Sequence, residues 1–137
     1  MPDISLIESL TIQSHKGPYH VNFGPLLDGL DDGLSPTEHL IVDKRVAELY
    51  ADSLGPALKG HSVLQIEATE DNKSLEQMPL YALHLLEHGV RRNHTLVAVG
   101  GGIIQDIVCF LSATLLRGVP WRFYPTTLLA QADSCIG

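Results

Sequence analysis

Cysteine, aromatic residues and positive charge are all scarce in this sequence, and each shortage closes off a class of protein. Cys109 and Cys135 are the only cysteines. Two thiols, one of them inside an apolar run, do not make a disulfide framework; they read as buried or free thiols in a reducing compartment, and the cytoplasm fits best. Lys and Arg number 9 against 16 Asp and Glu, a formal charge of −7. Binding to a phosphate backbone rests on clustered cations that displace counterions, so nucleic acid is not an expected partner. No stretch approaches the ~18 consecutive apolar residues of a membrane span. Residues 1–14 carry Asp3 and Glu8 and lack the basic start and apolar centre of a signal peptide, so neither anchor nor leader is expected. What is present is a 45% hydrophobic chain of 137 residues with glycine and proline scattered along it. That is enough for one globular domain with its own core.

Short β-like runs alternate with longer helical ones, the organisation of an α/β domain with a largely parallel sheet. Residues 5–12 and 19–23 flank the turn-forming His15-Lys16-Gly17-Pro18, which predicts an antiparallel pair at the start, able to form a sheet edge. Residues 39–42 form a compact apolar strand. A helix follows over 44–58, with Val46, Leu49, Tyr50 and Leu54 at helical spacing until Gly55-Pro56 disrupts it. A second strand is expected at 62–66, then a helix to about residue 88 with Gly89 as its C-cap. Ser74 and Gln77 could open that helix as a capping box; a start at Pro79 suits proline better, because the first helical position needs no N–H. Residues 95–99 are a third buried strand, 105–116 an apolar helix and 121–124 a fourth strand.

The polar chemistry gathers at the ends of these strands, where a doubly wound sheet places its ligand crevice. Gly100-Gly101-Gly102 joins a strand to a helix, so bare backbone could approach a pyrophosphate with helix-start N–H groups aimed at it. A tight turn with no ligand explains the same glycines, which do not make a Gly-x-Gly-x-x-Gly fingerprint. Asp43 follows the strand 39–42, from where a carboxylate can accept hydrogen bonds from a ribose diol or cap a helix. The seven histidines are spread along the chain without metal-ligand spacing and read as structural, so none is assigned to a metal.

From Gly100 the chain runs GGGIIQDIVCFLSATLLRGVPWRFYPTTLLAQADSCIG. This order of a triple-glycine loop, an aspartate opening a helix, Arg-Gly at its end, then Pro-Thr-Thr-Leu-Leu-Ala-Gln and Asp-Ser closely resembles the 3-dehydroquinate synthase family. Glu70, Lys73 and Ser74-Leu75-Glu76 match that family's Glu-x-x-Lys-Ser-Leu-Glu segment, and Asp43 matches its aspartate after the second nucleotide-fold strand. The resemblance is most specific over 95–137 and weakest over 1–37. It implies a Rossmann-like, doubly wound NAD-binding domain and, beyond Gly137, a helical domain with a divalent metal, zinc or cobalt. It also implies a seven-carbon sugar phosphate as substrate. A hydroxyl is oxidised transiently by NAD, phosphate is eliminated, the hydride returns, and an aldol step closes a carbocycle. The transient ketone acidifies the neighbouring C–H, and the metal polarises the oxygen where charge develops.

Carried over by position, the resemblance gives Asp43 to the adenine-side ribose and Glu70 and Lys73 to the adenosine end. Gly101, Gly102 and Ile103 fall to the pyrophosphate, and Asp106 to the nicotinamide end. Thr126, Thr127 and Leu129 line the cofactor, and Asp133 meets both cofactor and substrate. Arg117 would bind the substrate phosphate across a dimer interface, as a planar guanidinium can do bidentately. Plainer readings stand beside these, with Arg117 as a helix-terminal charge and Asp133 as a cap. Gln105 departs from the pattern, which has glycine before the aspartate, and leaves room for a related cyclase with another sugar phosphate. A nucleotide-binding module without turnover is the alternative from another class. An iron-type alcohol dehydrogenase relative is disfavoured by Leu128-Leu129-Ala130-Gln131. Leu128, Leu129, Ala130 and Ile136 are expected to leave apolar surface that drives self-association.

Overall fold

The computed structural model describes residues 8–134; the start of the expected first strand, Cys135 and Ile136 lie outside them. The chain opens with an antiparallel ribbon of β1 (Ser9–Ser14) and β2 (Gly17–Asn22). Its turn is only His15-Lys16, because Gly17 takes φ +116° and pairs with Ser14. Pro18 is therefore in the strand, tolerated because a two-stranded ribbon has outward edges that need no N–H. The ribbon is a sheet of its own and not an edge of the main one. Leu10 and Ile12 pair with Val21 and Tyr19 and share one face of it, while Thr11 and His20 lie on the other.

The main sheet holds β3 (Glu38–Asp43), β4 (Val63–Ile66), β5 (Thr95–Gly100) and β6 (Trp121–Pro125), all parallel, in the order β4-β3-β5-β6. The two central strands lack polar alternation because both their faces are covered. Helices α1 (Lys44–Leu49) and α2 (Ala51–Leu58) follow β3, α3 (Met78–Glu87) follows β4, and α4 (Gly102–Thr114) follows β5. Leu40, Val42, Val97 and Val99 pack with Val46, Leu54 and Leu30 in one core cluster. Ile41, Leu96 and Ala98 pack with Leu85, Ile104, Ile107 and Leu111 in the other. Each fully buried leucine or isoleucine contributes about 1.5–3 kcal/mol, so the two layers carry the fold.

Several boundaries differ from expectation. The helical stretch after β3 breaks at Tyr50 (φ −114°, ψ 30°), and Gly55-Pro56 lies inside α2. The carbonyl that Pro56 leaves without a helical donor is that of Asp52, within the first turn of α2. Helix α3 starts at Met78 with Pro79 in its first turn and ends where Gly89 takes φ +78°. Helix α4 begins three residues earlier than expected, at Gly102, because the glycine loop runs directly into it. After it a 3-10 turn, Leu115–Arg117, turns left-handed at Leu116 (φ 50°) and Arg117 (φ 67°). No helix among the described residues is long and apolar enough to cross a membrane.

Candidate functional site

Chain order moves from β3 outward to β4, then crosses back to β5 on the other side of β3. The reversal places a topological switch point between β3 and β5, and a crevice opens outside their carboxyl ends. Asp43 ends one of these strands and Gly100 the other. A Cβ placed on Gly100 would lie 3.3 Å from Asp43 Cβ and 2.6 Å from Ile104 Cγ1. One on Gly101 would meet Thr127 Cγ2 at 2.8 Å, whereas one on Gly102 would have nothing within 4 Å. The first two glycines are thus demanded by close packing, and the third faces open space.

Asp43 Oδ1 accepts the Arg45 amide at 2.8 Å and caps α1. The capping function expected from sequence is therefore real, and Oδ2 has no partner among the described residues. At α4, the Gln105 amide is bonded to Gly101 O at 3.1 Å. The amides of Gly102, Ile103 and Ile104 come before it, at the positive end of the helix dipole. The Ile103 side chain packs against the core, so only its backbone can serve a ligand. Thr126 N donates to Gly100 O at 2.9 Å, and Thr127 Oγ1 accepts from Ala130 N at 3.2 Å.

Lys73 Nζ lies 3.0 Å from Glu70 Oε2 and 3.1 Å from Asp106 Oδ2. Hydrogen bonds to Glu70 and then Asp106 hold its ammonium above the usual lysine range. The division of Glu70 and Lys73 from Asp106 between two cofactor ends does not separate them in space, since one cation bridges both carboxylates. Asp106 is the fifth residue of α4 and does not open it. The turn carrying Lys73 is itself held by Tyr81, whose hydroxyl donates to Asn72 O at 2.7 Å. Sequence reasoning passed over Tyr81, because a helix-face tyrosine reads as core. It also passed over Lys44, Arg45, Glu67 and Thr69, which with Asp43 line a groove of about 360 Å³ beyond β3 and β4. Their position just after two parallel strands was the available signal.

Asp133 is exposed in the helical element Ala130–Ser134 after β6, and Leu129, just before that element, is 71% exposed. Arg117 is not brought to this group. It lies at the other end of α4, more than a dozen residues from the glycine loop, which at 1.5 Å per residue is roughly 20 Å away. Its left-handed backbone is of the costly kind that gathers at functional positions.

At the opposite, amino end of the sheet, histidines that are scattered in sequence come together. Buried His39 bonds Ser62 Oγ through Nδ1 at 2.7 Å and His94 Nδ1 through Nε2 at 2.9 Å, with the His61 ring edge-on. Burial, then the charges of His61 and His94, lower its pKa to about 4. His84 and His88 stack one turn apart on α3, and burial followed by His88 lowers His84 as well. Among the described residues no group of three or more His, Cys, Asp or Glu is placed to hold a metal ion.

Comparison with known proteins returns the same architecture. The curated 3-dehydroquinate synthase of Pelobacter propionicus is 40% identical over 112 residues, covering 79% of this chain and 31% of its own length. That of Rhodospirillum rubrum is 38% identical over 138 residues, 93% of this chain and 36% of its own. The chain spans about a third of the length of these relatives. A solved 2-epi-5-epi-valiolone synthase of Streptomyces hygroscopicus subsp. jinggangensis, with NAD+ and Zn2+ bound, superposes with a TM-score of 0.63 at 31% identity, covering 80% of this chain and 31% of that one. A 2-deoxy-scyllo-inosose synthase complexed with carbaglucose-6-phosphate, NAD+ and Co2+ gives 0.75 at 21% identity over 92% of this chain and 37% of that one, a likeness of fold. The family described as 3-dehydroquinate synthase N-terminal matches residues 63–137, more than half of the sequence, from β4 through the glycine loop and beyond, and the chain belongs to that family.

Proposed function

We propose that this chain is the NAD-holding part of a 3-dehydroquinate synthase-type cyclase, an enzyme that eliminates phosphate from a seven-carbon sugar phosphate and closes the product into a ring. The observation that carries this reading is the cradle between β3 and β5. Gly101 has no room for a Cβ beside Thr127, the space over Gly102 is open, and Asp43 keeps one carboxylate oxygen unused. These features fit a dinucleotide. In the proposed arrangement Asp43 Oδ2 accepts the adenine-side ribose diol. The amides of Gly102 and Ile103 face the pyrophosphate, and Gly101 lets it come close. Lys73 offsets phosphate charge while Glu70 and Asp106 orient its ammonium. Thr126 and Thr127 supply hydroxyls, Leu129 an apolar wall, and Asp133 hydrogen bonds to cofactor and substrate together. Bound NAD supplies a transient hydride acceptor.

Arg117, remote from the cradle within one chain, fits a role toward the substrate phosphate of a second subunit. A divalent metal, zinc or cobalt, belongs in this reading to the part of the full-length protein beyond these residues, and the 137 residues alone hold cofactor without turnover. Identities of 38–40% to curated 3-dehydroquinate synthases favour the seven-carbon sugar phosphate that gives 3-dehydroquinate over the substrates of related cyclases. Nitrogen-15 NMR with NAD titrated to several millimolar tests the placement. Amide shifts should concentrate at Gly101, Gly102, Ile103 and Thr127; shifts gathered instead around His39 and His94, or none at all, would refute it.

A further inference from the structure

Gln105 occupies the position where the resemblance expects glycine, and its side chain does not enter the crevice. It reaches across to the short helix Ala130–Ser134, where Nε2 donates to Ser134 O at 2.6 Å. The segment 126–134 needs such a tie. Of its three central apolar side chains, Leu128 and Leu129 are 81% and 71% exposed, and only Ala130 is buried. Apolar packing therefore holds the middle of the segment through Ala130 alone. Its beginning is fastened to the glycine loop by the Thr126 amide on Gly100 O and by Thr127 against Gly101. Gln131 Nε2 reaches back to Pro125 O at 2.9 Å, which again secures the β6 end. Further along, residues 131–133 are exposed, and among the described residues the Gln105 side chain ties the Ser134 carbonyl to α4.

We propose that Gln105 is a positioning residue that clamps the end of segment 126–134 onto the first turns of α4 and so holds Asp133 at the nucleotide crevice. The donor and the fold of the segment are the essentials, and a residue of similar length without a donor cannot replace it. The cofactor consequence rests on the function proposed above; the clamp itself does not.

Hydrogen exchange of amides 130–134 and NAD titration, both on the whole chain, test the two parts separately. Gln105→Met and Gln105→Glu keep length and helix propensity but remove the donor, and Gln105→Lys keeps a donor. Both donor-less variants should exchange about tenfold faster over 130–134 and bind NAD about fivefold more weakly, with Gln105→Lys close to wild type. Wild-type exchange in either Met or Glu variant, or a Lys variant as loose as the Met one, would overturn the clamp. Loosened exchange with unchanged NAD affinity would overturn its role at the crevice. A wild-type chain that binds no NAD would sink the proposed function instead, and the exchange data would still decide whether Gln105 clamps the segment.

Discussion

A single methyl group at Gly101 has nowhere to go. Its φ of −95° is open to any residue, so the obstacle to Gly101→Ala is not the backbone but Thr127 Cγ2 at 2.8 Å. Overpacking of this kind costs about 1–3 kcal/mol. Thr127→Ser removes Cγ2 and keeps the hydroxyl that caps Ala130, so the double variant should recover most of the loss. Chemical denaturation of the four proteins in a double-mutant cycle checks this, and additive effects would contradict the contact. Asp43 separates two functions in the same way. Asp43→Asn keeps the α1 cap and should leave stability nearly unchanged, while Asp43→Ala should lose about 1 kcal/mol. Both should weaken NAD binding, because an amide is a poorer acceptor for a diol. Equal NAD affinity in Asp43→Asn and wild type would remove the carboxylate from the ribose site.

At the scale of elements, the amino ends of β3 and β5 meet around a histidine cluster with its own pH dependence. His39 titrates near 4 when folded and near 6.5 when unfolded, so the unfolded chain binds the extra proton over that window. Its contribution is fully present above pH 6.5 and is lost as pH falls toward 4, by up to about 3 kcal/mol. His61, His94, His84, His88 and the Ser62 hydroxyl face it, and the lowered His84 acts in the same direction. Melting temperatures from pH 7.5 to 4.5 should fall more steeply for wild type than for His39→Gln, and parallel slopes would contradict this. The strands and α3 were legible in the sequence because β-branched runs and Pro79 carry local signals. The glycine loop and Asp43 were legible as a site because they sit at strand ends. The break at Tyr50 was not, since neither Tyr50 nor its immediate neighbours are glycine or proline. The histidine cluster was not either, because its members come from separate segments that only the parallel crossovers bring together. The Lys73 bridge to Asp106 likewise joins residues 33 apart, a distance that no periodicity reports.

At the scale of the molecule, a parallel sheet covered on both faces leaves its crevice and the segment after β6 facing outward. Of Leu128, Leu129, Ala130 and Ile136, the apolar residues expected to leave surface uncovered, Leu128 and Leu129 are exposed, Ala130 is buried, and Ile136 lies outside the described residues. The two leucines should drive concentration-dependent self-association, opposed by the −7 charge and therefore strengthened by salt. Light scattering over a concentration series should show species larger than a monomer for wild type and fewer for Leu129→Ser, whereas a strictly monomeric wild type at high salt would contradict this. The nucleotide crevice itself is tested most directly by isothermal titration calorimetry of the chain with NAD. One-to-one binding with a Kd of about 0.1–1 mM, weakened roughly tenfold by Asp43→Ala, is the expected result, tenfold corresponding to about 1.4 kcal/mol. No heat of binding at several millimolar NAD, or an affinity that Asp43→Ala leaves unchanged, would contradict it.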